Sequence, residues 1–182
     1  MSEPAVTPIS EDAAPPTSAD DLLAKLDELG IAYQRHHHEP LFTVADSQAM
    51  RGQIDGAHIK NLFVKNKKGQ IWMITVLEHR SVDLNTLAKQ IGAGRVSFAK
   101  PELLWQYWGV RPGAVTPFGA INDSENVVTV ILDEALKGEA CVNCHPLVND
   151  QTIGVSADDL VKFLTHTNHE PTFVTIPERE SA

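Results

Sequence analysis

Two neighbouring runs constrain the fold most. Ile59 to Asn66 and Gln70 to Glu78 are both rich in β-branched and apolar residues, and only Lys67-Lys68-Gly69 separates them. Three residues with a glycine have the length and the backbone freedom of a hairpin loop, so the pair predicts two antiparallel strands at the centre of a sheet. Helical signals flank them. Ser18 can cap a helix with Asp20 and Asp21 in its first turn, Leu22, Leu23, Leu26 and Leu29 along one stripe, and Gly30 as its stop. Ile31 to His37 reads as a first strand, and Thr43 as the cap of a short helix through Ala45, Ala49 and Met50 toward Gly52. Asp83 caps a helix through Leu84, Leu87, Ala88 and Ile91, and Pro101 opens another holding Leu103, Leu104, Tyr107 and Trp108. Strands follow near Val127 to Leu132 and Thr152 to Val155, then a helix capped by Ser156 and an edge strand over Thr172 to Ile176. Strands joined by tight turns and punctuated by helices predict an α/β (α+β) domain with a mixed sheet, not a doubly wound parallel one.

The 182 residues suffice for one well-buried core but not for two ordinary domains. Residues 1–18 are rich in Pro, Ala, Ser, Thr and acids without apolar periodicity, so they are expected to be a disordered leader ahead of a domain over 19–177 and a tail over 178–182. The net charge of −9 argues against binding duplex DNA through a basic surface. Five acids and no base precede the first lysine, however, leaving −4 on the rest of the chain. Lys60, Lys65, Lys67, Lys68, Arg80, Lys89, Arg95, Lys100 and Arg111 crowd the middle third, where they can line a site for a phosphate-bearing ligand. No run approaches the roughly 20 apolar residues of a membrane span, and no export signal is evident, so a cytoplasmic protein is expected.

Four segments are candidates to carry chemistry. Lys60 and Asn61 open the first hairpin strand, and a cation at the mouth of an apolar run suggests donors aimed into a cleft. Gly109-Val-Arg-Pro-Gly113-Ala-Val-Thr-Pro117-Phe-Gly119 is expected to be a rigid loop that presents backbone groups to a small polar ligand. His36-His37-His38 precedes a turn at Glu39-Pro40; alternation in an extended segment lets at most two of these rings converge, so no metal is expected there. Cys141-Val-Asn-Cys144-His145 has the spacing of c-type haem attachment, but the strand-rich chain and the absence of an export signal favour ordinary thiols. Asp46 and Glu78 fall near the expected cleft and read as solvated or capping acids. Nucleophile-elbow, phosphate-loop and dinucleotide fingerprints are lacking.

Taken in order, His38-Glu39-Pro40-x-x-Thr43, Lys60-Asn61, Gly113-x-x-x-Pro117 and His145-Pro146 make residues 19 to 177 resemble the YbaK/ProX family of aminoacyl-tRNA editing domains. That family includes the editing insertion of bacterial prolyl-tRNA synthetase and free-standing relatives. The likeness is to the free-standing branch, ProXp-ala or PrdX, that hydrolyses alanine wrongly attached to proline tRNA. The resemblance implies a mixed, mostly antiparallel sheet flanked by helices, no cofactor, and the acceptor end of tRNA(Pro) as partner. It implies Lys60, Asn61 and His145 as catalytic positions, and Gly113, Pro117, Thr43 and His38 as substrate-binding ones. The implied chemistry is hydrolysis of the ester with help from the substrate's own ribose hydroxyl. A tRNA-binding module without catalysis and a redox or haem protein built on the Cys-x-x-Cys-His run are the alternatives.

Overall fold

The computed structural model describes residues 8–41 and 44–181. Thr43, the expected cap of the short helix, lies outside them.

The hairpin is where the sequence puts it. Strand β2 (Ala57–Asn66) runs antiparallel to β3 (Ile71–Leu77), and Asn61 stands opposite Thr75. Every residue of β3 up to Val76 is buried, because both faces of this strand are covered. Ile71 and Met73 point into one apolar cluster with Phe63, while Trp72, Ile74 and Val76 point into a second with Val64. A continuous apolar run of this length suits a strand sandwiched between two layers.

The larger layer holds α1 (Ala19–Glu28), α4 (Pro101–Trp108) and α5 (Ala157–His166), through Leu22, Leu26, Leu104, Trp108, Leu160 and Phe163. The smaller holds α3 (Leu84–Gln90) through Leu87 and Ala88. A short helix α2 (Val44–Arg51) follows β1 (Gln34–His37). Ser18, Asp83 and Ser156 each accept the amide of the residue three positions on, the N-cap bond expected of such side chains.

With β4 (Val96–Phe98), β5 (Val128–Asp133), β6 (Val142–Cys144), β7 (Gln151–Val155) and β8 (Thr172–Val174), the sheet runs β1-β7-β6-β2-β3-β5-β8, and β4 pairs with β2 off that path. Four pairings are antiparallel and three parallel, which makes the sheet mixed and mostly antiparallel as expected. Sequence reading missed β4 and β6. Each is three residues long, too short for alternation to register. It also missed that the glycine-proline segment ends in a 3-10 helix, Pro117–Asn122, capped by Thr116. No helix among the described residues is long and apolar enough to cross a membrane.

The stretch ahead of Ser18, expected to be disordered, meets the body from Ser10 onward. Arg111 donates to the carbonyls of Ser10, Glu11 and Ala13 while its guanidinium lies 4.6 Å over the Trp105 ring, and the Thr17 hydroxyl donates to Asn122.

Behind the glycine-proline segment, Trp108 is wholly buried and its indole N–H donates 2.6 Å to the carbonyl of Thr116. Gly119 makes this possible, since a Cβ there would lie 2.0 Å from Trp108 Cδ1. Gly119→Ala is therefore expected to destabilise the fold by about 1–3 kcal/mol through overpacking, lowering the melting temperature by roughly 2–4 °C per kcal/mol. An unchanged melting curve would show that Trp108 is not fixed as described.

Candidate functional site

The edge of β2 away from β3 is covered in two places. β6 pairs with Ala57 and His58, β4 pairs with Val64 to Asn66, and residues 59–63 lie between. A chamber of about 70 Å³ opens beside this stretch, walled by Leu41, Ile54, His58, Ile59, Asn61, Glu78, Asn143, Cys144, His145 and Thr152. Wider depressions flank it. One of about 440 Å³ shares His58 and Glu78 with the chamber, and one of about 510 Å³ shares Leu41 and takes in His38.

Asn61 is held at both ends. Its amide oxygen accepts the Thr75 hydroxyl at 2.7 Å, and its amide nitrogen donates 2.9 Å to the carbonyl of Val115. Thr75 is fully buried, so the side chain that orients Asn61 is itself immobile. Val115 lies inside Gly113-x-x-x-Pro117, and this single bond ties the hairpin to that loop. Gly113 has φ +92°, a backbone that disfavours any side chain, and sits against the Leu41 carbonyl and Asn149. Pro117 is buried at the start of the 3-10 helix; it supports the loop and does not line the chamber.

His145 stands on the opposite wall. Its Nδ1 is 2.9 Å from the carbonyl of Gln151. A carbonyl can only accept, so Nδ1 carries the proton and Nε2 keeps the lone pair in the neutral ring. Burial depresses the His145 pKa below its ordinary value; the Gln151 carbonyl pulls the other way, and His38 adds to the depression. The His38 ring centroid is 6.4 Å from that of His145. By the same argument His38 donates from Nδ1 to the Glu39 carbonyl and accepts the hydroxyl of buried Thr152 at Nε2.

Lys60 does not join this group. Successive residues of a strand face opposite ways, so with Asn61 turned to the chamber Lys60 turns from it, toward the side of Leu62 and Val64. Its ammonium donates to the carbonyl of Arg80, at the turn that follows β3. Arg80 is anchored in turn by buried Asp133, whose carboxylate accepts its Nε at 3.1 Å. Glu78 and His79, carried on that turn, line the flanking depression.

The structure thus gathers Asn61, His145 and the Gly113 to Pro117 backbone, with His38 at the rim. Thr43 lies outside the described residues. Sequence reading missed Thr75, Asn143, Thr152 and His58, and set Glu78 aside although it forms part of the wall. Only Thr75 had a signal: a hairpin centred on Lys68 pairs position 61 with position 75. Cys141 and Cys144 are free thiols, and burial pushes Cys144 well above the ordinary thiol range. Among the described residues no group of three His, Cys, Asp or Glu side chains is placed to hold a metal.

The model of the aminoacyl-tRNA editing domain matches residues 38–163. Prolyl-tRNA editing protein ProX of Acetoanaerobium sticklandii is 36% identical over 144 residues, covering 79% of this chain and 88% of the relative. Prolyl-tRNA synthetase associated domain-containing protein 1 of Danio rerio is 32% identical over 176 residues, covering 93% and 96%. A solved structure described as a candidate trans-editing enzyme for prolyl tRNA synthetase superposes with a TM-score of 0.68 at 18% identity, covering 88% of this chain and 97% of that one, which shows the shared fold.

A nitrogen-detected histidine titration checks the assignment of His145. Its ring is expected to titrate below about 6.5, with Nε2 unprotonated at neutral pH. Because the folded pKa is the lower one, this ring's contribution to stability is present above the unfolded pKa and is lost as pH falls through the folded one. A midpoint at or above the ordinary value would contradict the burial described.

Proposed function

The chain belongs to the aminoacyl-tRNA editing domain family and is on that ground an aminoacyl-tRNA deacylase; from this premise we propose that it acts in trans on alanyl-tRNA(Pro). The observation that carries this reading is the Asn61 amide, fixed between Thr75 and Val115 and aimed into a chamber of about 70 Å³.

An aminoacyl ester is already activated, so its hydrolysis requires a placed water and relief of the charge that develops on the carbonyl oxygen. Asn61 has two amide hydrogens. One goes to Val115, and the other is available to the ester oxygen. The loop backbone beside Gly113 bounds the amino-acid end. The one free hydroxyl of the terminal ribose, vicinal to the ester, donates its hydrogen to the lone pair of His145 Nε2, and its oxygen accepts a hydrogen bond from the attacking water, whose proton passes to the ribose oxygen that departs as the ester C–O bond breaks. His38 and Thr152 bound the rim toward the terminal nucleotide. Lys60, expected as a catalytic position with donors aimed into a cleft, enters this reading as support: it holds the turn that brings Glu78 to the wall and His79 to the flanking depression.

Size supports alanine as the group removed. The chamber is narrow, at about 70 Å³. An alanyl group with its water comes to about six heavy atoms, a prolyl group with its water to about eight. A rigid wall refuses the larger group by overlap, whereas refusing a smaller one yields only about 1–3 kcal/mol per missing methylene.

A deacylation panel of alanyl-, cysteinyl-, seryl- and prolyl-tRNA(Pro), with alanyl-tRNA(Ala) as control, tests the reading. Alanyl-tRNA(Pro) is expected to be the preferred substrate without added metal. Asn61→Ala is expected to lower kcat by roughly 100- to 1,000-fold, the range for loss of one donor to a developing oxyanion. Thr75→Val, which frees the amide to turn, is expected to cost roughly 10- to 100-fold, with Thr75→Ser restoring most of it. Inertness toward every ester, or full activity in Asn61→Ala, would overturn the proposal.

A further inference from the structure

β4 pairs with the far end of the β2 edge beside which the chamber opens, and it carries a surface with a different character. Phe98 ends that strand in register with Val64, and at 63% exposure it is the large hydrophobic side chain most open to solvent among the described residues. A rise of about 3.3 Å per residue sets Val64, and Phe98 beside it, roughly 10 Å along the edge from Asn61; as the cross-strand partner of Val64, Phe98 turns to the side of Lys60 and Leu62, so the path from the chamber to this ring crosses the edge of β2.

One exposed phenylalanine is ordinary on any protein. Its surroundings are not. Lys100 lies two residues on, and Arg95 immediately precedes β4. Arg95 also lines, with Lys67 and Lys68 of the hairpin tip, a groove of about 230 Å³. From Asn66 to Pro101 the chain carries six basic and two acidic residues, within a protein of net charge −9, and from Leu84 to Pro101 it carries no acid at all. Among the described residues none of Lys67, Lys68, Arg95 and Lys100 is in an ion pair. Leaving several cations unneutralised on one strip of an acidic protein is the footprint of a polyanionic partner. An exposed aromatic ring between that strip and a chamber sized for an aminoacyl group selects a polyanion that also has flat bases.

Resting on the function proposed above, we infer that the strip from Phe98 through Lys100 and Arg95 to Lys67 and Lys68 is the track on which the RNA leaves the chamber. Phe98 stacks an unpaired base of the acceptor tail, and the four cations take the phosphates that follow. Stacking on an aromatic ring tolerates any base and phosphate contacts carry no sequence information, so the strip supplies affinity and direction, not choice of tRNA.

The test uses the full chain with Phe98→Ala and, separately, the triple change Lys67→Glu, Lys68→Glu, Arg95→Glu. All four side chains are exposed, so folding is preserved. Three quantities are measured: the Kd for uncharged tRNA(Pro) at several salt concentrations, kcat and KM for alanyl-tRNA(Pro), and the rate on 3′-alanyl-adenosine, which is too short to reach the strip. Phe98→Ala is expected to raise Kd and KM about tenfold, within the range for loss of one stacked base, with kcat and the alanyl-adenosine rate unchanged. The triple variant is expected to raise Kd more than tenfold and to flatten the log–log salt slope by about 0.7 for each single-strand phosphate that the protein no longer neutralises. Wild-type Kd, KM and salt slope in both variants would overturn the inference, as would an equal loss on alanyl-adenosine. If the wild-type chain binds tRNA but hydrolyses neither ester, the deacylase reading fails and the tRNA affinities still decide the strip.

Discussion

One side-chain amide joins a strand that lines the chamber to the glycine-proline loop. Asn61 takes a hydroxyl from Thr75 within its own hairpin and gives a hydrogen to Val115 in a loop more than fifty residues away. Among the described residues this is the side-chain hydrogen bond that ties the Gly113 to Pro117 segment to the central strands. With it, the loop inherits the rigidity of the best-buried strand in the sheet. The rest of the loop's support is arranged to match: Trp108 donates to Thr116, Thr116 caps the 3-10 helix that begins at Pro117, and Asn122 ties the end of that helix back to the Trp108 carbonyl. The site is a set of backbone and amide groups held still, which suits a reaction whose substrate brings its own activated ester.

The position of Lys60 shows how strand geometry sorts function among neighbours. Lys60 and Asn61 are consecutive, yet the period of two sends one toward the turn at Arg80 and the other into the chamber. The lysine thereby holds the chain segment that carries Glu78 and His79, and the asparagine lines the chamber itself. Imidazoles follow a similar division. His145 is kept neutral by burial with its proton committed to a carbonyl, which leaves a lone pair and no charge on that wall.

Much of the fold was legible because its signals are long and local. The hairpin, the caps at Ser18, Asp83 and Ser156, and the edge strand near Thr172 all rest on patterns of several residues. β4 and β6 were not, because a three-residue strand is defined by what it pairs with and not by its own sequence. Within the site, Asn61 was legible as the neighbour of Lys60 at the mouth of an apolar run, His145 through the Cys-x-x-Cys-His run and the His145-Pro146 pair, and Gly113 as a glycine in a loop. Asn143 and Thr152 did not, since nothing local distinguishes a polar residue that faces a chamber from one that closes a hydrogen bond in a sheet. His58 and Glu78 reach the wall from adjoining chain ends, His58 where β2 pairs with β6 and Glu78 where the chain leaves β3, a feature of topology.

The proposed hydrolysis requires the aminoacyl end of a tRNA to sit against Asn61. Titrating isotope-labelled protein with an amide-linked, non-hydrolysable analogue of alanyl-adenosine reads this directly. The side-chain amide of Asn61 and the ring of His145 are expected to shift together and saturate at the same ligand concentration. Saturable binding that leaves both resonances where they were would place the ligand elsewhere and contradict the proposed site.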